Sequence, residues 1–351
     1  MKHSFLSFLS FLSIATFMLL GKVHAQTSEQ ENQPKKYYTF ELSDKVTRQS
    51  VTYKNRFGIT LSADLYIPDN LDKSQKHAAI VIGGPYGGVK EQGPGVYAQN
   101  MAERGFVAIA FDASYNGESG GAPRRVSSPD IFTEDFSAGV DFLGTQPFVD
   151  RSKVGAIGIC GSGGFALNAA QTDRRIKAIA TASMYDISRS KRSGRKDAMT
   201  EEQRSKRLDL FAEQRWKDVD SGSPKLGSPF PSVPVDKIPE GLDPISGEFF
   251  EYYGMKRGHH PNATGAFTVT SDMSFFNFPL LNYLNTISPR PVLFLVGENA
   301  FSQYFSEDAY KKAAEPKELL VVPNARHIDL YDRTDLIPFD KLELFFKEHL
   351  K

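Results

Sequence analysis

The chain has 351 residues, 40% hydrophobic and 24% charged, with 42 basic against 42 acidic side chains. This composition is globular and excludes a collagen, a coiled coil or a wholly disordered chain, and the balanced charge leaves no footprint for nucleic acid. The single cysteine, Cys160, excludes an internal disulfide and any multi-cysteine zinc or iron–sulfur site.

Residues 1–25 read as a signal peptide. Lys2 and His3 open it, an apolar run spans Phe5 to Leu20, and Val23-His24-Ala25 reads as a small-residue cleavage site before Gln26. The run is short for a membrane span of roughly 20 residues, and no cysteine follows it to carry a lipid, so no stable membrane anchor is expected. Cleavage near Ala25 implies an exported protein, periplasmic or extracellular. Residues 26–45 are polar and read as a flexible lead-in.

Strands and helices then alternate. Ser50–Lys54 and Ile59–Pro68 flank a turn at Asn55-Arg56-Phe57-Gly58, which signals a hairpin. Near-continuous apolar runs at Ala78–Ile82, Phe106–Phe111, Val154–Ile159, Ile176–Ala182, Pro291–Val296 and Glu318–Val322 read as strands buried on both faces. Helices are expected over Gly95–Arg104, Phe132–Leu143, Gly163–Ala170 and Phe339–Leu350. The alternation predicts an α/β fold with a mostly parallel sheet and helices on both faces. Residues 46–186 and 290–351 form its two core segments. The stretch 187–289 separates two strands by about 100 residues, so it reads as a cap or lid insertion. It begins basic (Arg189, Lys191, Arg192, Arg195, Lys196), which reads as a solvated face. It continues through a helical Glu201–Lys217 and a Pro/Gly/Ser-rich tract, and ends aromatic.

The sharpest motif is Gly158-Ile159-Cys160-Gly161-Ser162-Gly163-Gly164, between a buried strand and a helix. This is the context of a nucleophile elbow: a strained turn with small neighbours lifts one side chain above the sheet edge, at a helix N-terminus that favours an anion. Cys160 and Ser162 both compete for the role. The strand register favours Cys160, two residues beyond the terminal glycine of the strand. Among the histidines, His327 follows the last strand, in Pro323-Asn324-Ala325-Arg326-His327, where a loop can swing it back over the nucleophile as general base.

These motifs resemble the α/β-hydrolase superfamily. The Gly-x-Cys turn is similar to its dienelactone-hydrolase branch, and the chain from about Val46 to Leu350 resembles the larger YcjY-like, polyketide-transferase-like relatives. The resemblance implies an eight-stranded sheet, a nucleophile–acid–histidine order along the chain, and a cap after the sixth strand. It also implies an oxyanion hole from the backbone N–H groups of Tyr86, in Gly83-Gly84-Pro85-Tyr86-Gly87-Gly88, and of Gly161. The acid is expected after the seventh strand in Gly-x-x-Asp, but here the aspartate position is Ala300 in Gly297-Glu298-Asn299-Ala300. Asp186, after the preceding strand, and Glu298 are the two candidates, with Asp329 and Asp332 behind them. Asp112 reads as structural.

Phe249, Phe250, Phe275, Phe276 and His259 are candidate pocket residues, the alternative being that they pack the cap on the body or sit in a solvated loop. The expected function is cleavage of a carboxylic ester or related acyl bond through an acyl-enzyme on Cys160. The substrate is a small acyl or ester molecule, and no metal or cofactor is implied. Acyl transfer, or a catalytically silent binding protein of the same fold, are the alternatives.

Overall fold

A computed structural model describes residues 37–351. The expected signal peptide and the first part of the lead-in lie outside the described residues. Residues 37–45, the rest of the lead-in, are seated on the body. Thr39 N–H donates to the Glu91 carbonyl (3.0 Å), and the Tyr38 hydroxyl donates to Asp64 (2.8 Å).

Eight strands form one sheet: β1 (Val46–Lys54), β2 (Thr60–Pro68), β3 (His77–Gly83), β4 (Val107–Phe111), β5 (Val149–Ile159), β6 (Ile176–Ala182), β7 (Val292–Gly297) and β8 (Lys317–Val322). Their spatial order is β1-β2-β4-β3-β5-β6-β7-β8. β1 and β2 are antiparallel to their neighbours, and the other pairs are parallel. β4 and β7 are buried along their whole length, whereas edge strand β1 alternates toward solvent. The apolar runs reflect this, because a strand with helices on both faces has no polar side.

Helices cover both faces. α1 (Gly93–Glu103), with Tyr97 and Met101, lies on one, together with the C-terminal helix Phe339–His349 through Phe345 and Phe346. α2 (Pro129–Thr145), α3 (Gly161–Thr172) and a helix over Gln303–Lys312 lie on the other, through Phe136, Leu143, Phe165, Leu167 and Phe305. The Gln303–Lys312 helix is not anticipated above, because its buried apolar signal is slight: Phe305 and Ala309 in QYFSEDAYKK. Among the described residues no helix is long and apolar enough to cross a membrane.

The insertion carries the helices α4 (Ile187–Ser193), α5 (Glu201–Ser221), α6 (Pro244–Tyr253) and α7 (Asp272–Phe276). α6 starts inside the tract read as Pro/Gly/Ser-rich. Asp243 caps it by accepting from the Ile245 and Ser246 N–H groups, and Pro244 follows, a helix-start pair.

The chain runs outward from β3 to β4, then returns to place β5 on the other side of β3. Open parallel sheets bind ligands where strand order reverses in this way, at the carboxyl ends of the strands. β3 and β5 pair there through Gly83 and Gly158. The glycine-rich loop and the Cys160 turn leave the sheet side by side.

Candidate active site

Cys160 joins β5 to α3 with φ +53° and ψ −121°. A non-glycine residue held at positive φ costs on the order of 1–3 kcal/mol and persists only where its surroundings fix it. Here the Cys160 N–H donates to the Ala182 carbonyl (2.9 Å). Its carbonyl accepts from the N–H groups of Gly163 and Tyr185 (2.9 Å each). The turn also needs glycine neighbours. A Cβ on Gly158 would strike the Ser162 carbonyl oxygen, and one on Gly163 would come within 2.7 Å of Met184 Cγ.

Three polar groups face the Cys160 sulfur: the Tyr331 hydroxyl and the backbone N–H groups of Tyr86 and Gly161. Burial pushes the thiol pKa up, and these three groups oppose the rise. Tyr86 and Gly161 are thus brought together beside the sulfur. The Tyr86 side chain is turned away and held by Ser127 (2.6 Å) and by the Phe267 ring, 4.1 Å between centroids. Ser162, the rival nucleophile, points its hydroxyl toward Gly83.

His327 is fully buried in the loop after β8. That loop is pinned at several points. Ser183 donates to the His327 carbonyl (2.9 Å), Glu298 accepts from the Asn324 N–H (2.9 Å), and Glu248 of α6 accepts from the Ile328 N–H (3.1 Å). The imidazole sits among Phe249, Phe301, Tyr185 and Tyr331. Burial in this aromatic box lowers its pKa to about 3. Nδ1 lies 2.5 Å from Ser302 Oγ, and Nε2 lies 2.8 Å from the Tyr331 hydroxyl.

Neither expected acid meets this ring. Asp186 is the N-cap of α4 and accepts from the Arg189 N–H (2.9 Å), its pKa raised by burial. Glu298 is spent on the Asn324 N–H. Asp329 and Asp332 bond Arg257, and Asp329 also bonds Arg326. Ser302, which the sequence reading passed over, takes the Nδ1 side. It sits at the N-cap position of the Gln303–Lys312 helix but makes no side-chain cap, because its hydroxyl turns to His327. Nothing local marks it in the sequence, because the helix it precedes has little apolar signal. Tyr331, four residues after His327, was missed for a similar reason: it reads as one more buried aromatic.

A cavity of about 600 Å³ opens above Cys160. Tyr86, Tyr185 and Tyr331 of the body and Phe249, Phe250 and Tyr253 of α6 line it. Three candidates lie elsewhere. Phe275 packs edge-on behind Tyr86 (6.1 Å, 88°), Phe276 packs on Phe211, and His259 Nε2 lies 3.1 Å from the Pro231 carbonyl oxygen. Aromatic content alone does not say which face a ring takes. Lys191, read as part of a solvated basic face, lines the cavity and pairs with Asp272 (2.9 Å).

Among the described residues, Glu91, Asp112 and Glu118 form one carboxylate trio close enough for a cation. The buried Lys90 ammonium already bonds all three, at 2.5, 3.0 and 2.8 Å. Asp112 also accepts from the Lys90 and Glu118 N–H groups, tying the turn after β4 to the loop after β3.

A family model for X-Pro dipeptidyl-peptidases (S15 family) matches residues 58–224. The uncharacterized protein PA2218 of Pseudomonas aeruginosa is 54% identical over 315 residues, 89% of this chain and 83% of that protein. Its crystal structure superposes with a TM-score of 0.85, over 89% of this chain and 96% of that one. The polyketide transferase grgF of a Penicillium species is 24% identical over 308 residues, 86% of this chain and 97% of that protein. Its crystal structure, with a TM-score of 0.70 over 87% of this chain and 99% of that one, shares the α/β-hydrolase fold. The uncharacterized protein YcjY of Escherichia coli is 37% identical over 304 residues, 86% of this chain and 98% of that protein. By that likeness and its eight-stranded sheet, this chain belongs to the YcjY-like branch of the α/β-hydrolase superfamily.

Proposed function

We propose that the protein hydrolyses a carboxylic ester or related acyl bond through a covalent acyl-enzyme on Cys160. The sulfur attacks the carbonyl carbon, and the proton of the thiol passes to His327. The Tyr86 and Gly161 N–H groups hold the oxyanion, each worth about 3 kcal/mol in the transition state. Collapse expels the alcohol, and water then cleaves the thioester. The support is one convergence: both N–H donors face the sulfur that ends β5, with an aromatic cavity in front of it.

The resting pair is neutral in this account. Burial keeps Cys160 a thiol and His327 an imidazole, so the proton moves during attack rather than before it. Turnover of short p-nitrophenyl esters tests the assignment. Cys160→Ala is expected to abolish it while Ser162→Ala retains it; the opposite pattern would move the nucleophile to Ser162.

A second reading, acyl transfer to an alcohol or amine, is favoured by the apolar cavity and by the name of the Penicillium relative. Added acceptor alcohols yielding transesterified product would support it. We also propose export, from the charged start, apolar run and small-residue site of residues 1–25. N-terminal sequencing of protein from fractionated cells, beginning at Gln26 in an exported fraction, would agree. A chain beginning at Met1 in the cytosol would refute it.

A further inference from the structure

Resting on the acyl-enzyme reading, we propose that the Tyr331 hydroxyl is a catalytic proton relay: it receives the Cys160 thiol proton while passing its own to His327 Nε2. The geometry carries this. The hydrogen bond of Nε2 goes to Tyr331 (2.8 Å), and the same hydroxyl faces the Cys160 sulfur. The phenol therefore stands between base and nucleophile.

The side chain is held for the task. Tyr331 is fully buried, and its ring meets Tyr252 edge-on at 5.0 Å. Its N–H donates to the Ile328 carbonyl (3.1 Å), and the Tyr97 hydroxyl donates to the neighbouring Leu330 carbonyl (2.7 Å). Gly93 admits its backbone, since a Cβ there would stand 2.9 Å from the Tyr331 carbonyl oxygen. On the far side of the imidazole, Ser302 Oγ lies 2.5 Å from Nδ1; with the ring proton on Nδ1, Nε2 is left as the acceptor.

A phenol has one proton to donate. In the resting arrangement it donates to Nε2 and accepts from the thiol. After transfer it donates to sulfur and accepts from Nε2–H. The two arrangements differ by the movement of two protons. Burial, and then the neighbouring Cys160, raise the tyrosine pKa far above its ordinary value, so a phenolate does not accumulate and both protons move together.

The step balances. The C–S bond forms as the S–H bond breaks, the thiol proton goes to the Tyr331 oxygen, and the Tyr331 proton goes to Nε2. The carbonyl electron pair moves onto the oxygen held by Tyr86 and Gly161. On collapse the carbon–alkoxide bond breaks. The leaving oxygen takes a proton from Tyr331, and Nε2–H restores it.

The test is the rate of Cys160 acylation by p-nitrophenyl acetate, followed in mixtures of H2O and D2O. Wild type is expected to give a bowed dependence on deuterium fraction, from two protons in flight. Tyr331→Phe is expected to acylate at least about 100-fold more slowly, with KM little changed and a straight dependence. A merely structural tyrosine would not bend the wild-type curve, and that measurement needs no variant to fold. A straight wild-type line, or a Tyr331→Phe protein that acylates at the wild-type rate, overturns the relay alone. Absence of any acyl adduct on wild-type Cys160 overturns the acyl-enzyme reading and the relay with it.

Discussion

Ser302 Oγ lies 2.5 Å from His327 Nδ1, on the side of the imidazole where a hydrolase triad places its carboxylate. A serine can fix the ring's tautomer, but it brings no negative charge to stabilise an imidazolium. Ser302→Ala should therefore cost roughly 1–3 kcal/mol of transition-state stabilisation, about 5- to 150-fold in kcat/KM. Asp186→Asn and Glu298→Gln should stay within a few-fold of wild type. A large loss from either carboxylate variant, with Ser302→Ala unaffected, would restore an acidic triad.

The pH dependence of kcat/KM follows from the same neutrality. With His327 held at about pH 3 by burial, the base is already free of its proton at neutral pH. The profile should be flat from about pH 5 to 8. An acid limb with a midpoint between 6 and 7.5 would mean that His327 titrates normally, as a carboxylate-supported imidazole does.

Stability should move with acid in a defined direction. The lowered pKa of His327 means that the unfolded chain binds the extra proton between about pH 6.5 and 3. The stability it contributes is thus complete above about 6.5 and is lost as pH falls through that window. Asp135 acts in the opposite sense. Burial raises its pKa to about 7, so the folded state holds its proton and acidification below 7 favours folding. Urea unfolding of wild type and His327→Gln at pH 7 and pH 4 isolates the histidine. The variant should lose less stability between the two; an equal loss in both proteins would contradict the buried neutral imidazole.

The elbow gives a packing prediction. Gly158→Ala drives a Cβ into the Ser162 carbonyl and to 2.6 Å from Gly163 Cα, all backbone that cannot swing away. A cost of about 2–3 kcal/mol or more and a lower thermal midpoint are expected. In α6, by contrast, a Cβ on Gly247 meets only Ile238 Cγ2 at 3.9 Å. Gly247→Ala should raise stability by up to about 1 kcal/mol, since it removes a helix-interior glycine. Equal effects of the two substitutions on thermal unfolding would reject the packing argument.

Buried strands were readable because burial on both faces leaves unbroken apolar runs; β6 falls on Ile176–Ala182 as expected. Cys160 stood out because its turn tolerates only small neighbours, and His327 because it follows the last strand. Ser302 and Tyr331 were not readable, for one physical reason. Their roles rest on contacts with a loop 25 residues away in one case and with a sulfur across the sheet edge in the other. Locally, the first is one more polar loop residue and the second a core aromatic. Phe275 and Phe249 share a composition and a cap, yet only Phe249 faces the cavity, because the packing of α6 and α7 decides it.

The central claim is that Cys160 carries the acyl group. Intact-protein mass spectrometry within milliseconds to seconds of mixing with p-nitrophenyl acetate tests it most directly. The account predicts one added acetyl group, mapped to the peptide containing Cys160, absent in Cys160→Ala and lost again on hydrolysis. Turnover with no adduct on Cys160, or an adduct on Ser162, would contradict it.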